Sequence, residues 1–228
     1  DHSPVRAVRL LRLSAPLVNQ EIFDRPPAAG EVSVDIACAG ICHSDAHYRA
    51  GAGQVRPPLT LGHEIAGTID DIGEGVEGFQ PGDRVALHYL ISCGECHHCR
   101  RSQEQFCVRG EMLGKERDGG WAERIVVPAH NAIPVPAEVP LEQAAIMMCS
   151  TATAWHALRL SRLQQGESLA SLGFGGLGVS AVQLAGTLDA GEVFAADVVP
   201  EKLALAGSYG AMPIDAARTD IGEALLQA

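Results

Sequence analysis

The sequence predicts an α/β protein in two successive parts: a strand-rich region over residues 1 to about 150, then the opening of a parallel βαβ sheet over residues 151 to 228. Three observations predict this. The run "EVSVDIACA" over 31–39 alternates with period two and reads as a strand with Val32, Val34, Ile36 and Cys38 on one face. Four cysteines over 93–107 break into the strand-rich part at the spacing of metal ligands. From Leu169 the pattern changes to a short apolar run, a G-x-G-x-x-G turn, and Ala181, Leu184, Ala185 and Leu188 at helical spacing.

Composition bounds the function before any motif does. The 228 residues are 46% hydrophobic, which favours a packed core over disorder. The net charge is −11 with no sustained basic run, so nucleic acid is a poor partner. No apolar run approaches the roughly 18 residues of a membrane span, and the start "DHSPVRAVRLLRLSAP" lacks the apolar core of a signal peptide. The expected compartment is the cytoplasm, where seven thiols are ligands or core residues rather than disulfides.

Cys93, Cys96, Cys99 and Cys107 follow C-x2-C-x2-C-x7-C, which lets one loop wrap four thiolates around a tetrahedral ion. A dithiol redox pair needs only two of them, and a bacterial ferredoxin run places its fourth cysteine after three residues. A closed structural zinc site is expected, with His97 and His98 facing solvent. A site without an open coordination position does no chemistry, so the activity is sought elsewhere.

Cys38 reads as a core residue in phase with its strand. Cys42 falls just beyond the strand in "GICHSDAH", among His43, Ser44, Asp45 and His47. "LGHEIAG" then supplies His63 and Glu64, and "MMCSTATAW" supplies Cys149. Each is weak alone. Together they offer two thiolates, an imidazole and a carboxylate, the donors of a zinc site that keeps a position for water or substrate.

On these residues the sequence resembles the zinc-dependent alcohol dehydrogenases of the medium-chain dehydrogenase/reductase superfamily. "GHEIAGTIDDIGEGV" matches that family's zinc signature through Gly62, His63, Glu64, Gly67, Gly73 and Val76. "GVEGFQPGDRV" is similar to the turn that follows it, and "GGWAERIVVP" to a later strand. The resemblance implies a GroES-like β-barrel catalytic domain over 1–150, with Cys42, His63 and Cys149 as catalytic zinc ligands. Glu64 would be a nearby or an exchanging carboxylate, and Asp45 would hold the other ring nitrogen of the ligand histidine. Ser44 would take the alcohol proton and His47 would pass it to solvent, while hydride leaves for a nicotinamide.

The cofactor end is Gly173, Gly175, Gly176, Leu177 and Gly178, followed by "EVFAAD" ending in Asp197, 24 residues beyond Gly173. A carboxylate there binds both hydroxyls of the adenosine ribose and repels a 2′-phosphate, favouring NAD over NADP. By resemblance, Lys202 would also reach this ribose, His43 the pyrophosphate and Thr153 the nicotinamide. Tyr89 and Trp121 are either pocket walls or core aromatics. Ala170 and Ser171 make the first strand less apolar than a central parallel strand, and Gly186 weakens the helix after it.

The family's nucleotide-binding Rossmann domain has about six strands. This sequence offers two good ones, and a third near "MPID", before Ala228. The expectation is a chain shorter than the natural product, with a genuinely short relative of binding or regulatory role, without turnover, as the alternative. The implied activity is reversible NAD-dependent oxidation of an alcohol to an aldehyde or ketone with one catalytic and one structural zinc. The implied partners are a small alcohol or aldehyde and a second or further copies in a homodimer or homotetramer.

Overall fold

The computed structural model describes residues 4–227; residues 1–3 and 228, at the outer ends of the two expected domains, lie outside the described residues. The chain forms two compact units that divide in sequence between Cys149 and Ser150.

The first unit is built of antiparallel strands. β1 (Pro4–Leu10) pairs with β2 (Val18–Phe23); β3 (Glu31–Ala39) leads into α1 (His43–Arg49). β4 (Leu59–Thr60), β5 (Ile65–Ile72), β6 (Arg84–Leu87) and β7 (Leu90–Ile91) follow, then β8 (Glu111–Met112), β9 (Arg124–Pro128) and β10 (Ala132–Pro134). One sheet runs β2-β1-β4, a second β10-β6-β5-β3-β9, and β7 pairs with β8. Val8 N–H donates to the Trp121 carbonyl at 2.7 Å and Glu123 N–H to the Arg6 carbonyl at 3.0 Å, so β1 is laced to the approach of β9 and the sheets curl into a GroES-like barrel.

Alternation places the core. In β3, Val32 and Val34 are fully buried while Asp35 and Ala37 face out. They meet Ile65, Ile69, Val85, Leu87 and Val127, each such side chain contributing about 1.5–3 kcal/mol on burial. The register shifts between Ile36 and Cys38, and a shift of this kind bends a strand out of phase. Cys38 is therefore only half-buried, with Sγ 3.9 Å from the Ala66 carbonyl, rather than the full core residue its spacing predicts.

After Pro134, Pro136 and Pro140 comes α2 (Leu141–Ile146), whose Ala144 and Ala145 pack on Ala66 and Ala86. A π-helical turn, Met147–Thr151, then leads to α3 (Ala152–Ser161). The second unit continues with β11 (Leu169–Leu172), α4 (Gly176–Thr187), β12 (Val193–Asp197), α5 (Pro200–Ser208), β13 (Met212–Asp215) and α6 (Ile221–Gln227). The three strands are parallel in the order β11-β12-β13, and the third forms at "MPID". Phe174, Val182 of α4 and Ala206 of α5 pack with Ala195 on one face; Ile221, Ala224 and Leu225 of α6 pack with Phe194, Ala196 and Ile214 on the other. Helices on both faces of a parallel sheet are the doubly wound arrangement of an incomplete Rossmann domain.

Candidate active site

Three separate segments of the first unit deliver four donors to one place. The ligand atoms of Cys42, His63, Glu64 and Cys149 all lie within 4.8 Å of one another. Cys42 caps α1, His63 and Glu64 precede β5, and Cys149 comes from the π-helical turn. The Cys42 and Cys149 sulfurs are 3.9 Å apart. Two thiolates at about 2.3 Å from a tetrahedral ion stand about 3.8 Å apart, whereas a disulfide closes to about 2.05 Å. The donor set and its spacing fit zinc.

Asp45 organises this site from beneath. It is 2% exposed, and its carboxylate accepts from Cys42 N–H at 2.9 Å and Gly62 N–H at 3.3 Å. The third partner is His63 Nδ1 at 3.1 Å. A hydrogen on Nδ1 donating to Asp45 leaves Nε2 of His63 as the free donor atom. Glu64 is held by the end of β3: Gly40 N–H donates to its carbonyl at 2.8 Å, and a Cβ on Gly40 would lie 2.0 Å from Glu64 Oε2. Glycine alone leaves room for that carboxylate.

The protein groups favour a cation here. Burial opposes a charge on His63, but hydrogen bonds with Asp45, Cys149 and Cys42 outweigh it and raise the imidazole pKa to about 11. Burial also resists ionisation of Cys42, yet the Ser44 N–H and hydroxyl, with His63, pull that thiol below its ordinary value. For Cys149, His63 favours the thiolate, but burial and the neighbouring Cys42 prevail and push it up. Burial raises the Glu64 carboxyl. A site that gathers two sulfurs and two carboxylates around one imidazole is poised to accept positive charge.

The remaining candidates surround this cluster unevenly. Ser44 Oγ is 3.8 Å from Cys42 Sγ. His47 is exposed one turn along α1, its ring centroid 4.7 Å from that of His43, and no hydrogen bond joins it to Ser44. Tyr89 stands edge-on to His63 at 5.6 Å while also packing on the barrel core. Trp121 packs with Leu10 and Leu61 and donates Nε1–H to the Gly40 carbonyl at 3.1 Å, so it braces the site. Sequence reasoning passed over Tyr48, whose ring is edge-on to His63 at 6.3 Å; its place one helical turn after Asp45 was the available signal. The π-helical turn carrying Cys149 had no such signal.

The cysteine lobe closes as a second cluster. Cys93, Cys96, Cys99 and Cys107 bring their sulfurs within 4.8 Å of one another, with 3.9 Å between Cys93 and Cys99 and 3.5 Å between Cys96 and Cys99. Cys93 N–H points at Cys107 Sγ at 3.3 Å. The Glu95 N–H leads the contacts that lower the Cys93 pKa to about 5, while burial pushes Cys99 up to about 12. His97 is exposed as expected, but His98 is half-buried, its ring tilted between those of His97 and Phe106 with a buried Nδ1.

In the second unit the Gly-rich turn joins β11 to the N-terminus of α4, with Gly175 as its cap. A Cβ built on Gly173 or Gly175 would meet nothing within 4 Å, so the turn is uncrowded at both, while Gly173 N–H itself is donated to the Ala196 carbonyl at 2.7 Å. Thr153, Leu172, Gly173, Leu177 and Gly178 line one apolar groove of about 300 Å³. Asp197 ends β12 with Oδ2 accepting from Phe174 N–H at 2.8 Å and Oδ1 from Val198 and Val199 N–H at 2.8 and 3.0 Å. Lys202 Nζ lies 3.6 Å from Oδ2. Asp197 therefore pins the turn to the sheet, a role its spacing did not announce. These backbone contacts, Phe174 first, hold its carboxyl below the ordinary range.

Comparison with known proteins agrees with this geometry. Residues 28–137 match the alcohol dehydrogenase GroES-like domain. A NAD-dependent alcohol dehydrogenase of Sulfurisphaera tokodaii is 35% identical over 91% of this chain and 62% of its own length. The crystal structure of an alcohol dehydrogenase from E. coli CFT073 with NADH superposes with a TM-score of 0.92 at 33% identity, covering 99% of this chain and 66% of that one. A cobalt- and zinc-bound thermostable alcohol dehydrogenase from Pyrobaculum aerophilum gives 0.85 at 31% identity, over 92% and 65%. The chain thus spans about three fifths of the length of the curated relatives it matches. By motif, fold and likeness together, the chain belongs to the zinc-dependent alcohol dehydrogenase family of the medium-chain dehydrogenase/reductase superfamily.

Proposed function

We propose that the protein catalyses the reversible NAD-dependent oxidation of an alcohol to an aldehyde or ketone. The observation that carries this is the convergence of Cys42, His63, Glu64 and Cys149 from three segments. Cys42, His63 and Cys149 would hold one zinc, with Glu64 as a carboxylate near it, and the four lobe cysteines a second, purely structural one. A metal at the first site supplies Lewis acidity that lowers the pKa of an alcohol beside it. NAD supplies the hydride acceptor.

The chain's own residues do the rest. Asp45 fixes the orientation of His63. Ser44, beside Cys42, accepts the alcohol proton through its hydroxyl, which both accepts and donates. His47, exposed on the same helix, exchanges that proton with water; since the two are not hydrogen-bonded, a bridging hydroxyl or water completes the relay. The open turn at Gly173, Gly175, Gly176, Leu177 and Gly178 receives the cofactor pyrophosphate, helped by His43. Asp197 and Lys202 bind the adenosine ribose and select NAD, and Thr153 lies by the nicotinamide.

The test is NADH formation by the zinc-loaded protein over a panel of alcohols, with Cys42→Ser in parallel. Turnover lost in the variant, with one zinc fewer per chain, supports the assignment. Wild-type protein with both zincs and no turnover on any alcohol overturns it in favour of a binding role.

A further inference from the structure

The chain has only two lysines: Lys202 lies beside Asp197, and Lys115 follows Gly114, whose backbone abuts Gly62 next to His63. Lys115 sits on a tight turn after β8. Gly114 N–H donates to the Arg117 carbonyl at 2.8 Å, and the N–H groups of Lys115 and Glu116 converge on the Met112 carbonyl at 3.2 and 3.0 Å. Gly114 has φ +76°, and a Cβ there would come within 2.9 Å of the backbone of Gly62. The turn is therefore pressed against the residue that precedes His63.

From this anchor the Lys115 side chain, 22% exposed, runs across Gly53. A Cβ on Gly53 would be 2.8 Å from Lys115 Cε and 3.7 Å from both Nζ and Tyr48 Cε1. Nζ and the edge of the Tyr48 ring thus flank the same point over Gly53, and that ring is itself edge-on to His63. Lys115 Nζ pairs with Glu116 Oε1 at 2.8 Å, and Glu116 Oε2 is fixed by Met112 N–H at 2.9 Å. A held donor and a held acceptor thereby stand on the far side of the Tyr48 ring from His63.

Such a wall suits one kind of substrate. A hydrocarbon tail laid against it would desolvate an ion pair and return no hydrogen bond. An anionic substituent would gain Lys115 but meet the charge of Glu116. A hydroxyl both accepts from the ammonium and donates to the carboxylate. Sites built to hydrogen-bond a substrate hydroxyl discriminate strongly against analogues that lack it. We infer that Lys115 is a specificity-determining residue whose ammonium, paired with Glu116 beside Tyr48, binds an additional hydroxyl of a polyhydroxylated alcohol. The inference rests on the dehydrogenase reading of the same site.

The experiment compares 1-butanol, 1,2,3,4-butanetetrol and its 4-phosphate as substrates of the zinc- and NAD-loaded wild type, Lys115→Met and Lys115→Arg. In Lys115→Met the ratio of kcat/KM for the tetrol to that for butanol should fall at least tenfold, mostly through KM, and Lys115→Arg should recover part of it. An unchanged ratio overturns the inference. So does a larger loss on the phosphate than on the tetrol, which would make the subsite one for anions. Tetrol binding is also followed by saturation-transfer NMR, which needs no turnover. Binding that depends on Lys115 without oxidation of any alcohol would leave the subsite standing and sink the dehydrogenase reading; binding indifferent to Lys115 overturns the subsite.

Discussion

Asp45 Oδ1 and His63 Nδ1 meet at 3.1 Å with both side chains almost wholly buried. Three donors share that carboxylate: His63, Cys42 N–H and Gly62 N–H. In Asp45→Asn one oxygen must serve all of them, and the amide NH2 is turned toward another donor. Zinc affinity at this site is expected to fall about 10–100-fold, the usual consequence of losing the partner of a ligand histidine. Competition with a chromophoric chelator measures it, and unaltered affinity would remove Asp45 from the site.

The lobe over 93–107 has little apolar interior of its own: Phe106 and Val108 are 59% and 66% exposed. Its order rests on four sulfurs and short turns at Cys99–Arg101 and Glu104–Phe106. Cys96→Ser should therefore lower the zinc content by one per chain and reduce Tm by several degrees, because metal binding in such loops is folding free energy. The Cys42 cluster belongs to other segments and should keep its own zinc. Calorimetry with elemental analysis checks this; a variant of unchanged Tm would mean that the lobe is held by something other than metal.

These two sites differ in how plainly the sequence displays them. The lobe ligands lie within one loop, so their spacing alone carries the chemistry. The Cys42 cluster is assembled by the fold: nothing local links Cys149 to Cys42, and only the chemistry of the donors, together with resemblance to a family, joins them in the sequence. Strand periodicity located β3 and the turn glycines located α4, because each is a short-range pattern. The shift that turns Cys38 partly out of the core, the π-helical turn at Cys149 and the pinning of Phe174 by Asp197 depend on tertiary contacts. Lys115 was silent for the same reason. Its meaning comes from Gly53, which its side chain crosses, and from Gly62, against which the preceding Gly114 is pressed, and both approaches exist only in the fold.

Asp197 joins two roles, and two variants separate them. Asp197→Asn keeps an acceptor for Phe174 N–H but loses the charge, so NAD affinity should fall and the preference over NADP should narrow by about tenfold. Asp197→Ala should do both and also speed exchange of the Phe174 and Val199 amide hydrogens. The carboxyl lies below its ordinary range, chiefly through Phe174 N–H. A lowered carboxyl stabilises the fold above its unfolded value of about 3.9, and this contribution disappears as pH falls through the folded value. The pinning should thus persist from neutral pH down to about pH 4, read by amide exchange. Loss of protection near pH 6 would show that another group holds the turn.

Gly40 is where the barrel and the metal cluster constrain each other most tightly. Its N–H donates to the Glu64 carbonyl, its carbonyl accepts from Trp121 Nε1, and a Cβ would lie 2.0 Å from Glu64 Oε2 and 2.9 Å from Glu64 Cβ. A clash with a flexible tip relaxes easily, but one that includes Cβ moves the backbone too. Gly40→Ala should cost about 1–3 kcal/mol, the range for overpacking a filled interior, and should weaken zinc binding at the Cys42 cluster while sparing the lobe. Adding Glu64→Ala removes the carboxylate from the clash and leaves the Cβ contact, so stability should return only in part. Denaturant titration of both variants reads the two components, and a Gly40→Ala protein as stable as wild type would show that Glu64 has another place to go.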